Sequence, residues 1–306
     1  MQYKSPSHQA MDQSKHIGYV SLNTGNLERA IQFYHSLAGL SILKKEEKSI
    51  ILGTTKNYPL VVLTEIEHAT IRAKNETGLD HFAILVPTRQ ELSKHFRVFV
   101  DNNYPIGMIA DHMVNESFYI HDPDGNLIEF TRDLTPDELV DHSPLSSNEL
   151  ANILFTLNRP LQTHTVSPYT RIGHVLVRVT NLAKSEEFYT KKIGFEVAMR
   201  MQGGVFVADG DYHHHIGFHV WETLNGKVPA KSTTGLRYFT IQVPSHEVFS
   251  KIRKTIQGTD TKIKVDERKI RLNDPSGNRI FITSNYRDAL EEAIDLEASS
   301  KVDNKT

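Results

Sequence analysis

The chain contains no cysteine at all. Disulfides and thiolate ligands are thereby excluded, and any metal must be held by His, Asp or Glu. Long apolar runs are missing too, since no stretch approaches the roughly 20 residues that cross a bilayer as a helix. Nor does either charge dominate: 35 Lys and Arg stand against 37 Asp and Glu, so nothing argues for nucleic acid or an anionic membrane as a partner. The opening MQYKSPSHQAMDQSKH has no hydrophobic stretch behind its lysines, so no secretory signal is expected and a cytoplasmic setting is. What the 306 residues do have is 39% hydrophobic content, enough for packed cores in about two ordinary domains. They also carry a cluster of imidazoles, DGDYHHHIGFHVWE, in which His213, His214, His215 and His219 fall close together.

The chain repeats itself. IGYVSLNTGNLERAIQFYHSLAGL (17–40) matches IGHVLVRVTNLAKSEEFYTKKIGF (172–195). TGLDHFAILVP (77–87) matches TGLRYFTIQVP (234–244), and HDPDGN (121–126) matches NDPSGN (273–278). Matches in constant order and near-constant spacing are the mark of duplicated domains. Each copy divides again. Residues 17–23 alternate as a half-buried strand, and an amphipathic helix over 26–38 follows, with Gly39 beyond its end. Short strands are expected near 40–45, 48–53 and 59–65. The pattern restarts with a strand at 80–86, a helix at 89–102 and strands near 105–109, 116–121 and 127–131.

The expected fold class is therefore α+β, built from four βαβββ modules in two domains. Residues 16–132 form the first, with modules 16–66 and 78–131; residues 171–284 form the second, with modules 171–223 and 235–284. Residues 133–170 make a linker that is helical around TPDELV and SNELANILFTLN. Residues 1–15 and 285–306 are expected to be disordered tails.

The stretches GLDHFAI, SFYIHDPDGNLIEF and IGHVLVRV resemble the vicinal oxygen chelate family, which includes glyoxalases, fosfomycin-resistance proteins and extradiol ring-cleaving dioxygenases. The resemblance spans nearly the whole chain outside the tails and linker, and the order of modules is similar to two-domain catechol 2,3-dioxygenase-type proteins. It implies the glyoxalase/bleomycin-resistance/dioxygenase fold. It also implies a divalent metal on the concave face of a sheet made from paired modules, with ligands from the modules' first and last strands.

Strand alternation points to the same residues. Phe82, Ile84 and Val86 make an apolar face that leaves His81 opposite; Val175, Val177 and Val179 leave His174 opposite; Ile128 and Phe130 leave Glu129 opposite. The DPDG turn, Asp122 to Gly125, returns the strand carrying Tyr119 beside the one carrying Glu129. Taken alone, a strand histidine is usually hydrogen-bonded or at the surface. An acid on the inward face of a sheet is harder to explain without a partner. Two imidazoles and one carboxylate form a facial triad with open positions, as in Fe(II) oxygenases.

These three residues do not belong to one copy of the repeat. The first copy has Tyr19 where the second has His174; the second has Tyr238 and Phe281 near the places of His81 and Glu129. Pairing the second module with the third unites the ligands and leaves Tyr19, Tyr238 and Phe281 in a metal-free counterpart. Conventional pairing within each copy remains the alternative.

By resemblance, the last strand of the third module would carry a fourth, acidic ligand in a glyoxalase. Gly217 falls at that position, which leaves it open for substrate or oxygen. His215 and His219 flank Gly217 on its face and, with Phe206 and Trp221, are candidate pocket walls. His213 and His214 are expected to bond locally at the strand entrance.

The resemblance also assigns Tyr119 as a stabiliser of substrate oxygen and His112 as an acid–base group, with Tyr119 ten residues before Glu129 as in extradiol enzymes. The interval from His112 to Tyr119 is shorter than in familiar members. The expected function is an Fe(II)-dependent extradiol dioxygenase acting on a small catechol-like aromatic with O2. Mn, Zn or Ni are alternative metals, and a homo-oligomer is left open. The rivals are a glyoxalase-type metal-dependent isomerase or thiol transferase, and a non-catalytic small-molecule binder.

Overall fold

The computed structural model describes residues 13–257, 264–265 and 268–285, so the expectation for the two tails falls largely outside the described residues. The first module runs β1 (His16–Thr24), α1 (Leu27–Ile31), β2 (Ser41–Lys45), β3 (Ser49–Gly53) and β4 (Pro59–Glu65). The second runs β5 (Gly78–Leu85), α2 (Arg89–Asp101), β6 (Met108–Asp111), β7 (Asn115–His121) and β8 (Leu127–Asp133). Two linker helices follow, α3 (Pro136–Val140) and α4 (Ser147–Thr156). The third module holds β9 (Arg171–Arg178), α5 (Leu182–Glu187), β10 (Glu196–Met201), β11 (Gly204–Ala208) and β12 (Ile216–His219). The fourth holds β13 (Gly235–Gln242), α6 (His246–Gln257), β14 (Lys264–Val265), β15 (Lys269–Asn273) and β16 (Arg279–Thr283). No helix among the described residues is long and apolar enough to cross a membrane.

The sequence repeat is also a repeat of local chemistry. Asn26 caps α1 by accepting from Arg29 N at 2.8 Å, and Asn181 caps α5 by accepting from Lys184 N at 3.0 Å. The uninterrupted helix expected over 26–38 instead widens into a π-helical turn, Gln32–Leu37, and its sister does the same at Phe188–Lys192. Consecutive aromatics, Phe33 with Tyr34 and Phe188 with Tyr189, are all buried there. Gly39 and Gly194 then reverse the chain at φ 81° and 85°. In the linker, Thr135 and Ser146 each complete a capping box with Glu138 and Glu149.

The strands form two eight-stranded sheets, in the orders β14-β15-β16-β13-β1-β4-β3-β2 and β10-β11-β12-β9-β5-β8-β7-β6. Each sheet therefore joins modules from different copies of the repeat. β1 meets β13 antiparallel in the first, and β5 meets β9 antiparallel in the second. The second and third modules share a sheet, and the first and fourth share the other; this is the exchanged pairing that ligand complementation called for.

The copies stay linked through their turns. Tyr34 donates to Asp122 Oδ2 at 2.8 Å, joining the first module to the second, and Tyr189 donates to Asp274 Oδ2 at 3.1 Å, joining the third to the fourth. One continuous apolar core includes Val20, Phe82, Phe130, Val175, Val177 and Ile282, and so takes in one face of both sheets. The opposite face of the second sheet carries the polar residues described next.

Candidate metal centre

β5 enters the centre through a bulge. Its pairing with β9 shifts between Leu79↔Val177 and His81↔Leu176, so Asp80 is an extra residue. The consequence is that two consecutive side chains meet, with Asp80 Oδ1 3.3 Å from His81 Nδ1. Phe82 and Ile84 enter the core, as do Val175 and Val177 beside His174, and Ile128 and Phe130 beside Glu129. His81, Glu129 and His174 are left together on the opposite face, the one group among the described residues that could hold a metal ion.

Their spacing is tight. His81 Nε2 lies 3.3 Å from His174 Nε2 and 3.3 Å from Glu129 Oε2, and His174 Nε2 lies 2.9 Å from the same oxygen. Ligands at about 2.1 Å from one ion and at right angles to each other stand about 3.0 Å apart, so these edges match one face of a coordination shell. Glu129 is buried, and its other carboxylate oxygen accepts from Ser117 Oγ at 2.5 Å. Burial opposes its ionisation, yet His174 and His81 hold the carboxyl well below its ordinary range. Burial alone would push the His81 imidazole down; the hydrogen bonds of Asp80 and Glu129 outweigh it and raise the group to about 9. His174 is lowered, burial outweighing the attraction of Glu129. A buried carboxylate facing two imidazole nitrogens, with no lysine or arginine among the described residues bonded to any of the three, is a donor set that fits a divalent cation.

Tyr119 pairs with Glu129 across β7 and β8. Its ring stands edge-on to His81 with centroids 5.7 Å apart, and its hydroxyl is 2.9 Å from His112 Nε2. Burial first, then the Glu129 charge and hydrogen bond, raise the phenol well above its ordinary range, so it remains a donor. His112 lies in the turn between β6 and β7. Next to it, Asp111 binds the linker, accepting from Leu145 N at 3.1 Å and pairing with His142 Nε2 at 2.8 Å. His142 gave no sign of this in the sequence, because its partner is 31 residues away.

The histidine cluster divides differently from the expectation. His213 and His214 do bond locally, Nδ1 to Nδ1 at 2.9 Å, and His213 Nε2 is 3.1 Å from Asp133 Oδ1. It is His214, however, that packs on the centre, its ring centroid 4.2 Å from that of His174 and 5.0 Å from that of Phe206. His215, whose backbone oxygen accepts from Val175 N at 3.1 Å beside His174, is buried, its ring accepting from Asp209 N at 3.2 Å and packing on Tyr212 and Phe195. His219 reaches the centre through an intermediary: its Nε2 is 3.1 Å from Asp80 Oδ2, and its ring stacks on Trp221 at 4.0 Å.

The physical reason is that alternation governs only residues inside a strand. β12 begins at Ile216, and the loop before it, turned by Gly210 at φ 65°, places His214 independently of that alternation. Asp80 was also missed. Its signal was the dipeptide Asp80-His81, which alternation would have put on opposite faces.

Gly217 does lie on the same face, but the space above it is filled. A Cβ there would fall 2.4 Å from Leu176 Cδ1 and 2.8 Å from the Phe206 ring. In the first sheet the counterpart of the centre is an aromatic plug. Tyr19 and Tyr238 hydroxyls meet at 3.0 Å, and Tyr238 stacks on Phe281 at 4.1 Å.

Known proteins match the chain in sequence and in fold. The family model described as Glyoxalase/Bleomycin resistance protein/Dioxygenase superfamily matches residues 16–130 and 171–282. The catechol-2,3-dioxygenase of Bacillus subtilis (strain 168) is 30% identical over 278 residues, covering 87% of this chain and 96% of that protein. Among solved structures, a putative dioxygenase from Bacillus subtilis subsp. subtilis str. 168 superposes with a TM-score of 0.63 at 12% identity, covering 89% of this chain and 85% of that one. Glyoxalase I from Zea mays superposes at 0.55 with 16% identity, covering 94% and 97%. With both copies of its repeat matched and its sheets built from them, this chain belongs to the glyoxalase/bleomycin-resistance/dioxygenase superfamily.

Proposed function

We propose that the protein is an Fe(II)-dependent extradiol dioxygenase that opens the ring of a catechol-like aromatic with O2, in the cytoplasm. The observation that carries this reading is the convergence of His81, Glu129 and His174 beside the hydrogen-bonded pair His112–Tyr119. The similarity to a catechol-2,3-dioxygenase along most of both chains supports it. A divalent iron in the triad supplies Lewis acidity toward a vicinal diol and redox chemistry toward O2.

The chain's own groups then have separable tasks. Glu129, kept ionised, and the two imidazoles hold the charge of the site. Tyr119, kept protonated, donates to a substrate oxygen as negative charge develops there. His112, bonded to the same hydroxyl, takes up or returns the proton, a task suited to imidazole near neutral pH. His214 closes the far side of His174 and limits the water that reaches it. A glyoxalase-type isomerase would want an acid on β12. Gly217 stands there with Leu176 and Phe206 packed over it, which favours the three-ligand reading.

The test is anaerobic loading with Fe(II), followed by catechol and air. A yellow ring-fission product with about one iron per chain is the expected outcome, and the metal should fall away in His81→Ala, Glu129→Ala and His174→Ala. Stoichiometric metal without oxygen uptake on any catechol would overturn the reaction, and absence of metal would overturn the site.

A further inference from the structure

Cross-strand register connects the centre to the edge of its sheet. His81 pairs with Leu176 on β9, Leu176 with Gly217 on β12, Gly217 with Phe206 on β11, and Phe206 with Met199 on the edge strand β10. Residues directly opposite in a ladder share a face, so one row leads outward from a candidate ligand. Beyond His81 it contains no polar side chain. Leu176 is buried but belongs to none of the core clusters, unlike Val175 and Val177 on either side of it; it is turned toward the centre. Phe206 leans over Gly217 from the other side. The neighbouring row carries Arg178 and His219 and turns apolar only at the edge, where a Cβ on Gly204 would meet Met201 Cγ at 3.3 Å and the Trp221 ring at 3.5 Å. Met199, Met201 and Trp221 are 46%, 48% and 52% exposed, so this apolar surface is open at the sheet edge and closed at the centre.

Charge points the same way. Among the described residues, no lysine or arginine bonds to His81, Glu129 or His174. Arg178, on the same face two residues beyond Leu176, is held by Asp80 at 3.1 Å and by Glu222 at 2.9 Å. An anionic group beside the centre would face Asp80 and Glu129 and lose its hydration against hydrocarbon.

We infer that Leu176, Phe206 and Met199 form the wall for an uncharged, apolar substituent on the substrate ring. The preferred substrates are then alkyl- or aryl-substituted vicinal diols rather than carboxylated ones. The diol rests on the dioxygenase reading; the wall requires only that a ring sit at the triad. At about 4.8 Å between strands, the Phe206 backbone is about 14 Å from β5, and its ring leans back over Gly217, within reach of a phenyl or short alkyl group.

Two measurements on the iron-loaded protein test this. Under argon, dissociation constants are measured for catechol, 4-butylcatechol, 3-phenylcatechol and 3,4-dihydroxybenzoate; in air, kcat/KM is measured for the same four. Butyl and phenyl substituents are expected to improve both by about tenfold or more over catechol, with the carboxylate weakest. Phe206→Ala should remove most of that advantage, and Phe206→Arg should shift preference toward the carboxylate. Met199→Ala at the exposed edge, expected to lower the same advantage by a smaller factor, serves as a milder variant if a Phe206 variant fails to fold. Equal binding of the carboxylated and alkylated diols, or Phe206 variants that keep the wild-type ranking, would overturn the wall. Preferential binding without ring fission would overturn the dioxygenase reading and leave the wall standing; ring fission without preference would do the reverse.

Discussion

Asp80 is the residue whose removal should reveal how much the centre depends on what surrounds it. Held by Arg178 and His219, it fixes the orientation of His81 from the ring nitrogen that faces away from the other ligands. Such carboxylate–imidazole contacts orient ligands and raise their basicity. Asp80→Asn should weaken Fe(II) binding by about 10–100-fold in competition with a coloured chelator, with the circular dichroism spectrum unchanged. Metal binding at His81 also competes with a proton. Because the metal-free group is raised to about 9, apparent affinity should climb about tenfold per pH unit from neutrality and level off above that value. Tyr119→Phe should behave differently. Metal stoichiometry is expected to persist while kcat falls about a hundredfold or more, since the variant loses the donor and the link to His112 but no ligand.

At the scale of elements, the contact between α2 and the linker has its own chemistry. His95 of α2 and His164 of the linker meet with ring centroids 4.1 Å apart, and none of their nitrogens finds a hydrogen-bond partner. Burial drives both imidazoles down, His95 well below 6.5 and His164 from 6.5 to about 4. The folded protein thus keeps them neutral while the unfolded chain takes up protons first. Their contribution is unimpaired above 6.5 and is lost as pH falls toward about 4. Acid titration of unfolding should show a decline of a few kcal/mol across that window. The slope should flatten in His164→Gln, measured by urea unfolding at successive pH values. A metal-centred cause of acid lability would leave that variant's slope unchanged.

For the whole molecule, the decisive feature is the seam between β5 and β9, where two distant parts of the chain complete one centre. A ligand that binds only the folded state stabilises it by mass action, about 2.7 kcal/mol at a hundred times its dissociation constant. Added divalent metal should therefore raise the thermal midpoint of the wild type. Glu129→Ala and His174→Ala, in different copies of the repeat, should each abolish the rise. A rise that survived His174→Ala would mean that the seam does not close the site.

Periodicity along the chain was sufficient to determine the strands, the duplicated modules and the faces on which His81, Glu129 and His174 lie, because side-chain direction inside a strand follows from the backbone alone. The deficit of ligands in either copy even pointed to the exchanged partnership of modules. Three things depended on tertiary structure. Asp80 turns toward His81 only because a bulge breaks the alternation, and a bulge is set by the partner strand. His214, rather than His215, covers His174 because the loop at 209–215 is shaped by long-range packing. Gly217 is covered rather than vacant because Leu176 and Phe206, far apart in sequence, lean over it from adjacent strands. Short-range order is written residue by residue; what fills a space depends on which strands arrive there.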